Sequence, residues 1–265
     1  MNPEQLRQRL EFLQDLGITE LYVRRGAPAE QRSGNTEAAA TPPAAQAGAA
    51  APQGAPPATE SAPTRILQLP PLSPVDDTLP AILQDIGDCT RCRLSQGRQR
   101  IVFGDGNPEA RLVFVGEGPG ADEDAQGIPF VGRAGQLLTQ MIDNTASKEG
   151  IPIQRSDVYI CNVVKCRPPE NRTPQPDEME MCGQFLFRQL SVLKPRAICA
   201  LGSTAAKAVL GTKEGVTKLR GNWHKWRDIP VMVTYHPSYL LRAYNQAAKR
   251  EAWEDLKKVL HYVYD

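Results

Sequence analysis

Apolar residues recur in two rhythms along this chain. Short runs rich in β-branched and aromatic residues, the pattern of buried strands, occupy 112–115, 157–164, 196–201 and 229–234. Between them apolar residues fall at helical spacing: Leu79, Ile82, Leu83 and Ile86; Leu137, Leu138, Met141 and Ile142; then 178–193, the small-residue stretch 205–210, and 246–263. Strands alternating with helices predict an α/β fold, three-layer α/β/α with a central mainly parallel four-stranded sheet covered on both faces. Upstream the rhythm changes. Residues 1–25 carry one short amphipathic helix over 2–16, with Leu6, Leu10, Leu13 and Leu16 near one face. Residues 26–74 collapse to Ala, Pro, Gly, Thr and Gln. That segment has too little apolar side-chain area to offset ordering entropy, so a disordered N-terminal linker is expected there, tethering the helix to a folded domain over 75–265. A helix so short is marginal alone in water, which favours its use as a docking element for a protein partner.

The stretch 112–138 carries the densest signal. Its strand stops at Gly116, and Gly118, Pro119 and Gly120 follow at once. Such residues end a strand without starting a helix, so a tight loop with bare N–H groups is expected, carrying Glu117, Asp122, Glu123 and Asp124. Gly132 and Gly135 bracket the start of the next helix, with Phe130 just before it. The loop has neither dinucleotide-binding spacing nor the Lys-Ser/Thr close of a phosphate-binding loop. The other strands also end in polar motifs, at Asn162, Gly202 and His236. One shared pocket at the strand ends accounts for all four.

Bulk properties narrow the picture only a little. The chain has 265 residues and a formal net charge of +1, so any nucleic-acid contact must come from local basic clusters. There is no long apolar run, and the N-terminus lacks the apolar centre of a secretory signal, so a cytoplasmic protein with no membrane partner is expected. The six cysteines then read as thiols or metal ligands rather than disulfides. Cys161 and Cys199 lie within apolar strands and read as core residues. Cys89 and Cys92 form a C-x-x-C pair, and Cys166 and Cys182 complete a four-thiolate set that suits zinc or an iron–sulfur cluster. The second pair is not another C-x-x-C, which leans towards the cluster.

Taken together, GEGPGADEDAQGIPFVGRAGQLL (116–138), NVVKCRPPENRTP (162–174), LGSTA (201–205), TKLRG (217–221), HPSYLLR (236–242) and the cysteine spacing resemble the family 4 uracil-DNA glycosylases, over about 75–265. The resemblance implies an enzyme that flips uracil from single- or double-stranded DNA and cleaves its N-glycosidic bond, leaving an abasic site for base excision repair. It also implies a [4Fe-4S] cluster on Cys89, Cys92, Cys166 and Cys182. Phe130 would stack on uracil, Asn162 would read its edge, His236 would donate to O2, and backbone N–H groups around Gly118 would assist. Glu117 and Glu123 are the candidate carboxylates for water, with Asn171 as a further water-positioning residue. An Asp follows the position of Glu117 in the best-known relatives; here Gly118 stands there. Arg167, Arg172, Ser203, Arg220, Ser238 and Arg242, with Lys165, are candidate DNA contacts, and Leu240 or Leu241 a candidate wedge. Superfamily members that trap the sugar covalently carry a histidine in the region matching 211–221, and this chain has none there, so turnover is expected. A monomer is expected. The competing possibility is a metal-clipped DNA-binding module without glycosylase activity, for which carboxylates near anionic DNA would have no use.

Overall fold

The computed structural model describes residues 76–242 and 245–265. The N-terminal helix and the Ala/Pro-rich linker expected from the sequence lie outside the described residues. Among the described residues six strands form one sheet: β1 (Asp105–Gly106), β2 (Leu112–Gly116), β3 (Tyr159–Asn162), β4 (Ala197–Leu201), β5 (Trp223–Trp226) and β6 (Ile229–Thr234). Their order is β1-β3-β2-β4-β6-β5. The four predicted strands form the parallel centre, β3-β2-β4-β6. The sheet extends beyond the four expected strands: β1 and β5 cap it as antiparallel edges.

The centre is apolar because both faces are covered. Successive side chains of a strand point to opposite faces, and the core divides accordingly. Val113, Val115, Ile198, Ala200, Val231 and Val233 face one layer. It comprises α1 (Leu79–Ile86), α4 (Pro176–Leu193) and α5 (Gly202–Leu210). Leu112, Phe114, Ile160, Leu201 and Met232 face the other, built from α3 (Arg133–Lys148) and α8 (Gln246–Tyr264). Each fully buried Leu, Ile or Phe contributes about 1.5–3 kcal/mol relative to exposure. Cys161 and Cys199 are fully buried within this core, and burial pushes both thiols up.

Helix ends follow local chemistry. Thr78 caps α1 by accepting from the Ala81 N–H at 3.2 Å. Pro176 opens α4, where its missing N–H costs nothing, and Glu178 accepts the Gln175 N–H at 2.7 Å. One expectation for the glycine-rich loop needs correction. A short helix, α2 (Ala121–Gln126), begins directly after Gly120. Asp122, Glu123 and Asp124 occupy its first turn, where negative charge complements the free N–H groups. The buried Asp124 carboxylate also accepts the Gln99 and Arg100 N–H groups, tying the cysteine-pair segment to α2. Two more short helices, α6 (Val216–Leu219) and α7 (Pro237–Leu240), follow β4 and β6. No helix among the described residues is long and apolar enough to cross a membrane.

Candidate active site

The parallel register brings the carboxyl ends of β3, β2, β4 and β6 level: Gly116 pairs with Asn162, Val115 with Ala200, and Leu201 with Thr234. A cavity of about 460 Å³ opens there. Its walls include Glu117, Gly118, Phe130, Asn162, Ser203 and His236, so the four polar motifs do share one pocket.

Gly116 makes the floor possible. A Cβ on it would lie 2.3 Å from Asn162 Oδ1 and 2.6 Å from the Phe130 ring. Phe130 adopts φ 55°, an uncommon backbone state for a bulky residue that persists only where surroundings hold it. Part of that hold is Arg155, which donates to the Pro129 carbonyl at 2.7 Å and to Thr139 Oγ1 at 3.1 Å. The Phe130 and His236 rings sit 5.6 Å apart, tilted by 36°. Asn162 is 1 % exposed. Its Oδ1 is buried without a hydrogen-bond partner, and of the four such side-chain atoms among the described residues it alone belongs to a wall of the cavity. A buried acceptor left unpaired costs about 1–3 kcal/mol, so the pocket is built for a donor that arrives from outside. Lys165, expected at the surface, is instead fully buried beneath: its ammonium donates to the Asn162 carbonyl at 2.8 Å and to Gln189 Oε1 at 2.6 Å. Burial pulls its pKa down.

His236 is the N-cap of α7. Its Nδ1 accepts the Ser238 N–H at 3.2 Å and lies 2.8 Å from Ser238 Oγ. A backbone N–H only donates, so Nδ1 carries no proton, and neutral His236 bears its proton on Nε2. Burial pushes its pKa down to about 4. A neutral donor is therefore present at physiological pH.

The two candidate carboxylates differ. Glu123 accepts from Gly120 N–H at 3.1 Å through Oε2, and from Val131 and Gly132 N–H at 3.0 and 2.9 Å through Oε1. Both its oxygens brace the loop that carries Phe130. Glu117, by contrast, accepts one hydrogen bond from Thr204 Oγ1 through Oε2.

The DNA-contact candidates also separate. Arg172, Ser203 and Ser238 border the cavity, as does Asn171, the candidate for positioning water. Asn171 accepts from Arg167 Nε at 2.8 Å. Arg172 makes a bidentate pair with buried Glu178. Arg242 is exposed, stacked 5.8 Å over the Tyr239 ring. Three candidates are corrected. Arg220 turns inward, held by Asp255 at 2.8 and 3.1 Å, because a buried carboxylate needs a cation more than the surface does. Leu240 is 1 % exposed and packs in the core with α8, since it ends the inward face of α7, whereas Leu241 is 38 % exposed at the cavity. Lys165 is the third, as described above. Residues that sequence reasoning missed are Arg133, an exposed cation at the cavity beside Gly132, and Thr204. Arg133 follows a glycine just before a helix, a signal that could have marked it.

The four cysteines of the set border one apolar cluster, Cys166 and Cys182 buried within it and Cys89 and Cys92 half-buried against it. Burial, with neighbouring thiols adding to it, pushes Cys182 up to about 12. Lys165 N–H points at Cys182 Sγ (3.2 Å), and Arg98 spans Cys89 O (2.6 Å) and Cys166 Sγ (3.5 Å). Four soft thiol donors with N–H groups aimed at sulfur suit an iron–thiolate group. Among the described residues no trio of ligating side chains closes around a single metal ion.

Known proteins share this arrangement of sequence. The family model of the uracil DNA glycosylase superfamily matches residues 103–257. A type-4 uracil-DNA glycosylase of Thermotoga maritima is 45 % identical over 190 residues, covering 71 % of this chain and 96 % of that protein. One from Archaeoglobus fulgidus is 39 % identical over 191 residues, covering 69 % and 92 %. A type-5 uracil-DNA glycosylase of Pyrobaculum aerophilum is more distant, 34 % identical over 155 residues and covering 54 % and 67 %. On these matches the chain belongs to the uracil DNA glycosylase superfamily and, within it, to the type-4 uracil-DNA glycosylases.

Proposed function

We propose that this chain is a uracil-DNA glycosylase that flips uracil out of DNA and hydrolyses the bond between N1 and the deoxyribose C1′. The observation that carries this reading is the unpaired, buried Asn162 Oδ1 on the wall of a cavity that also holds Phe130 and the Nε2–H tautomer of His236. Uracil offers N3–H to that acceptor and O4 to the amide NH₂. Cytosine offers a lone pair and an amino group instead, so both contacts would oppose like with like. Phe130 supplies the stacking face. His236 donates from Nε2 to O2, where negative charge gathers as the N1–C1′ bond breaks.

Glu117 orients a water towards C1′ and offsets the positive charge on the sugar. The water oxygen bonds to C1′, its proton passes to the carboxylate or to solvent, and the uracil anion leaves to be protonated. Glu123 is a positioning residue, because its oxygens are occupied by three backbone N–H groups. Asn171 helps to place the water from the cavity rim. DNA backbone contacts fall to Arg133, Arg167, Arg172, Ser203, Ser238 and Arg242, with Leu241 rather than Leu240 entering the stack. Cys89, Cys92, Cys166 and Cys182 would hold a [4Fe-4S] cluster, which when bound would supply iron–thiolate bonds joining the segment after α1, the loop after β3, and α4.

The test is base release from matched single-stranded oligonucleotides carrying one uracil, thymine or cytosine, read by alkaline cleavage. Cleavage at uracil alone is expected, falling about 100-fold or more in Asn162→Ala and in His236→Ala. Binding without cleavage by the metal-loaded protein would instead support the DNA-binding module.

A further inference from the structure

Thr204 is the third residue of α5, which starts where β4 ends. The turn between them is tight: Gly202 has φ +88°, and a Cβ there would sit 3.0 Å from the His236 Cβ. A threonine hydroxyl in a helix often bonds back to its own backbone. Here it reaches across the sheet and donates to Glu117 Oε2 from a residue 87 positions away. β2 and β4 are parallel neighbours, so the two side chains meet at adjacent strand ends. Thr204 is buried and Glu117 borders the cavity. Among the described residues no protein group bonds Glu117 Oε1. The carboxylate is thus anchored at one oxygen and free at the other. A glutamate without such an anchor would spread over several rotamers.

We infer that Thr204 is a positioning residue for the glycosylase reaction, fixing Glu117 through Oε2 so that Oε1 faces the attacking water. The inference rests on the proposed role of Glu117. A hydroxyl-to-carboxylate bond is charge-assisted and short-ranged, so it fixes direction as well as distance. Misplacing a reacting group by about 1 Å can cost on the order of 100-fold in rate. Thr204 itself does not line the cavity, so its loss should fall on turnover rather than on DNA binding.

The experiment compares Thr204→Val, Thr204→Ser, Glu117→Ala and the Glu117→Ala/Thr204→Val double variant in the metal-loaded full chain, on single-stranded uracil oligonucleotide. Val matches Thr in shape at a buried site, and thermal melting verifies that each variant is folded. Thr204→Val should lower kcat about 10- to 100-fold with KM within about twofold. Thr204→Ser, which keeps the donor, should stay within about threefold of the parent. In the double variant the Thr204 change should add nothing to the Glu117→Ala loss. Full activity in Thr204→Val, equal loss in the Ser and Val variants, or losses that multiply in the double variant would overturn the inference while leaving a large Glu117→Ala loss, and hence the role of Glu117, intact. Full activity in Glu117→Ala would remove that role, and the inference with it.

Discussion

At the scale of single residues, the site depends on groups kept in one state by their surroundings. His236 is the sharpest case, because burial pushes its pKa down to about 4 against an unfolded value near 6.5. Between those values the unfolded chain binds a proton that the folded chain refuses, so stability rises with pH across the window and falls on acidification. The slope from one such group is at most about 1.4 kcal/mol per pH unit. His261 works oppositely: Glu149 and Asp265 raise its pKa, so its stabilising contribution is lost as pH rises above the ordinary histidine range, outside this window. Urea midpoints of the parent should therefore drop from pH 6.5 to 5. The drop should shrink in His236→Asn, whose Oδ1 can still cap α7. An unchanged slope in that variant would show that His236 does not titrate as its burial implies.

At the scale of elements, α7 decides which leucine is available as the proposed wedge. Leu240 closes the inward face of the helix against α8, and Leu241 projects at the cavity. Leu240→Ala should destabilise the fold by about 2–5 kcal/mol and affect single- and double-stranded substrates alike. Leu241→Ala should leave melting unchanged and slow duplex substrates about 10-fold more than single strands, since only a duplex has a stack to fill. Equal losses on both substrates would remove the wedge. The sequence could not separate the two leucines because four residues give no period to read. The same reason hid other elements. The parallel centre was legible because each of its strands is an apolar run ending in Gly, Asn or a polar turn. β1 is two exposed residues, and β5 places adjacent His and Lys between its two Trp residues, so neither carries an apolar run. α2 was masked by the Gly-Pro-Gly before it and by its acidic first turn. At the site, residue types were legible but partners were not. Glu123 and Glu117 look alike in sequence, and only the three N–H groups around Glu123 and the hydroxyl on Glu117 separate them. Arg220 likewise turns inward because Asp255 waits for it from α8, 35 residues downstream.

At the scale of the whole molecule, the cysteine set and the pocket share one segment. The chain leaving β3 first continues its pairing beside the glycine loop, with Val163 and Val164 donating to the Gly116 and Glu117 carbonyls. It then passes Lys165 and Cys166, and within six residues supplies Pro168, Asn171 and Arg172 to the cavity. Asn162 stands on the sheet, whereas Asn171 stands on a short turn with φ 55° that no strand supports. Iron–thiolate bonds at Cys166 and Cys182 would fix that segment to α4 on one side of the pocket while leaving the sheet untouched. Removing iron by chelation, or replacing Cys182 by Ser, should therefore lower Tm by roughly 10 °C, as expected for losing a cross-link worth a few kcal/mol in a domain of this size. Hydrogen exchange should rise first in 163–175 and 88–100, with β2 and β4 still protected. Uracil release should fall in step with that local exchange rather than with global unfolding. If exchange instead rose uniformly through the sheet, the cysteine set would be supporting the core as a whole. The coupling between the clip and the pocket would then be no more than a shared loss of fold.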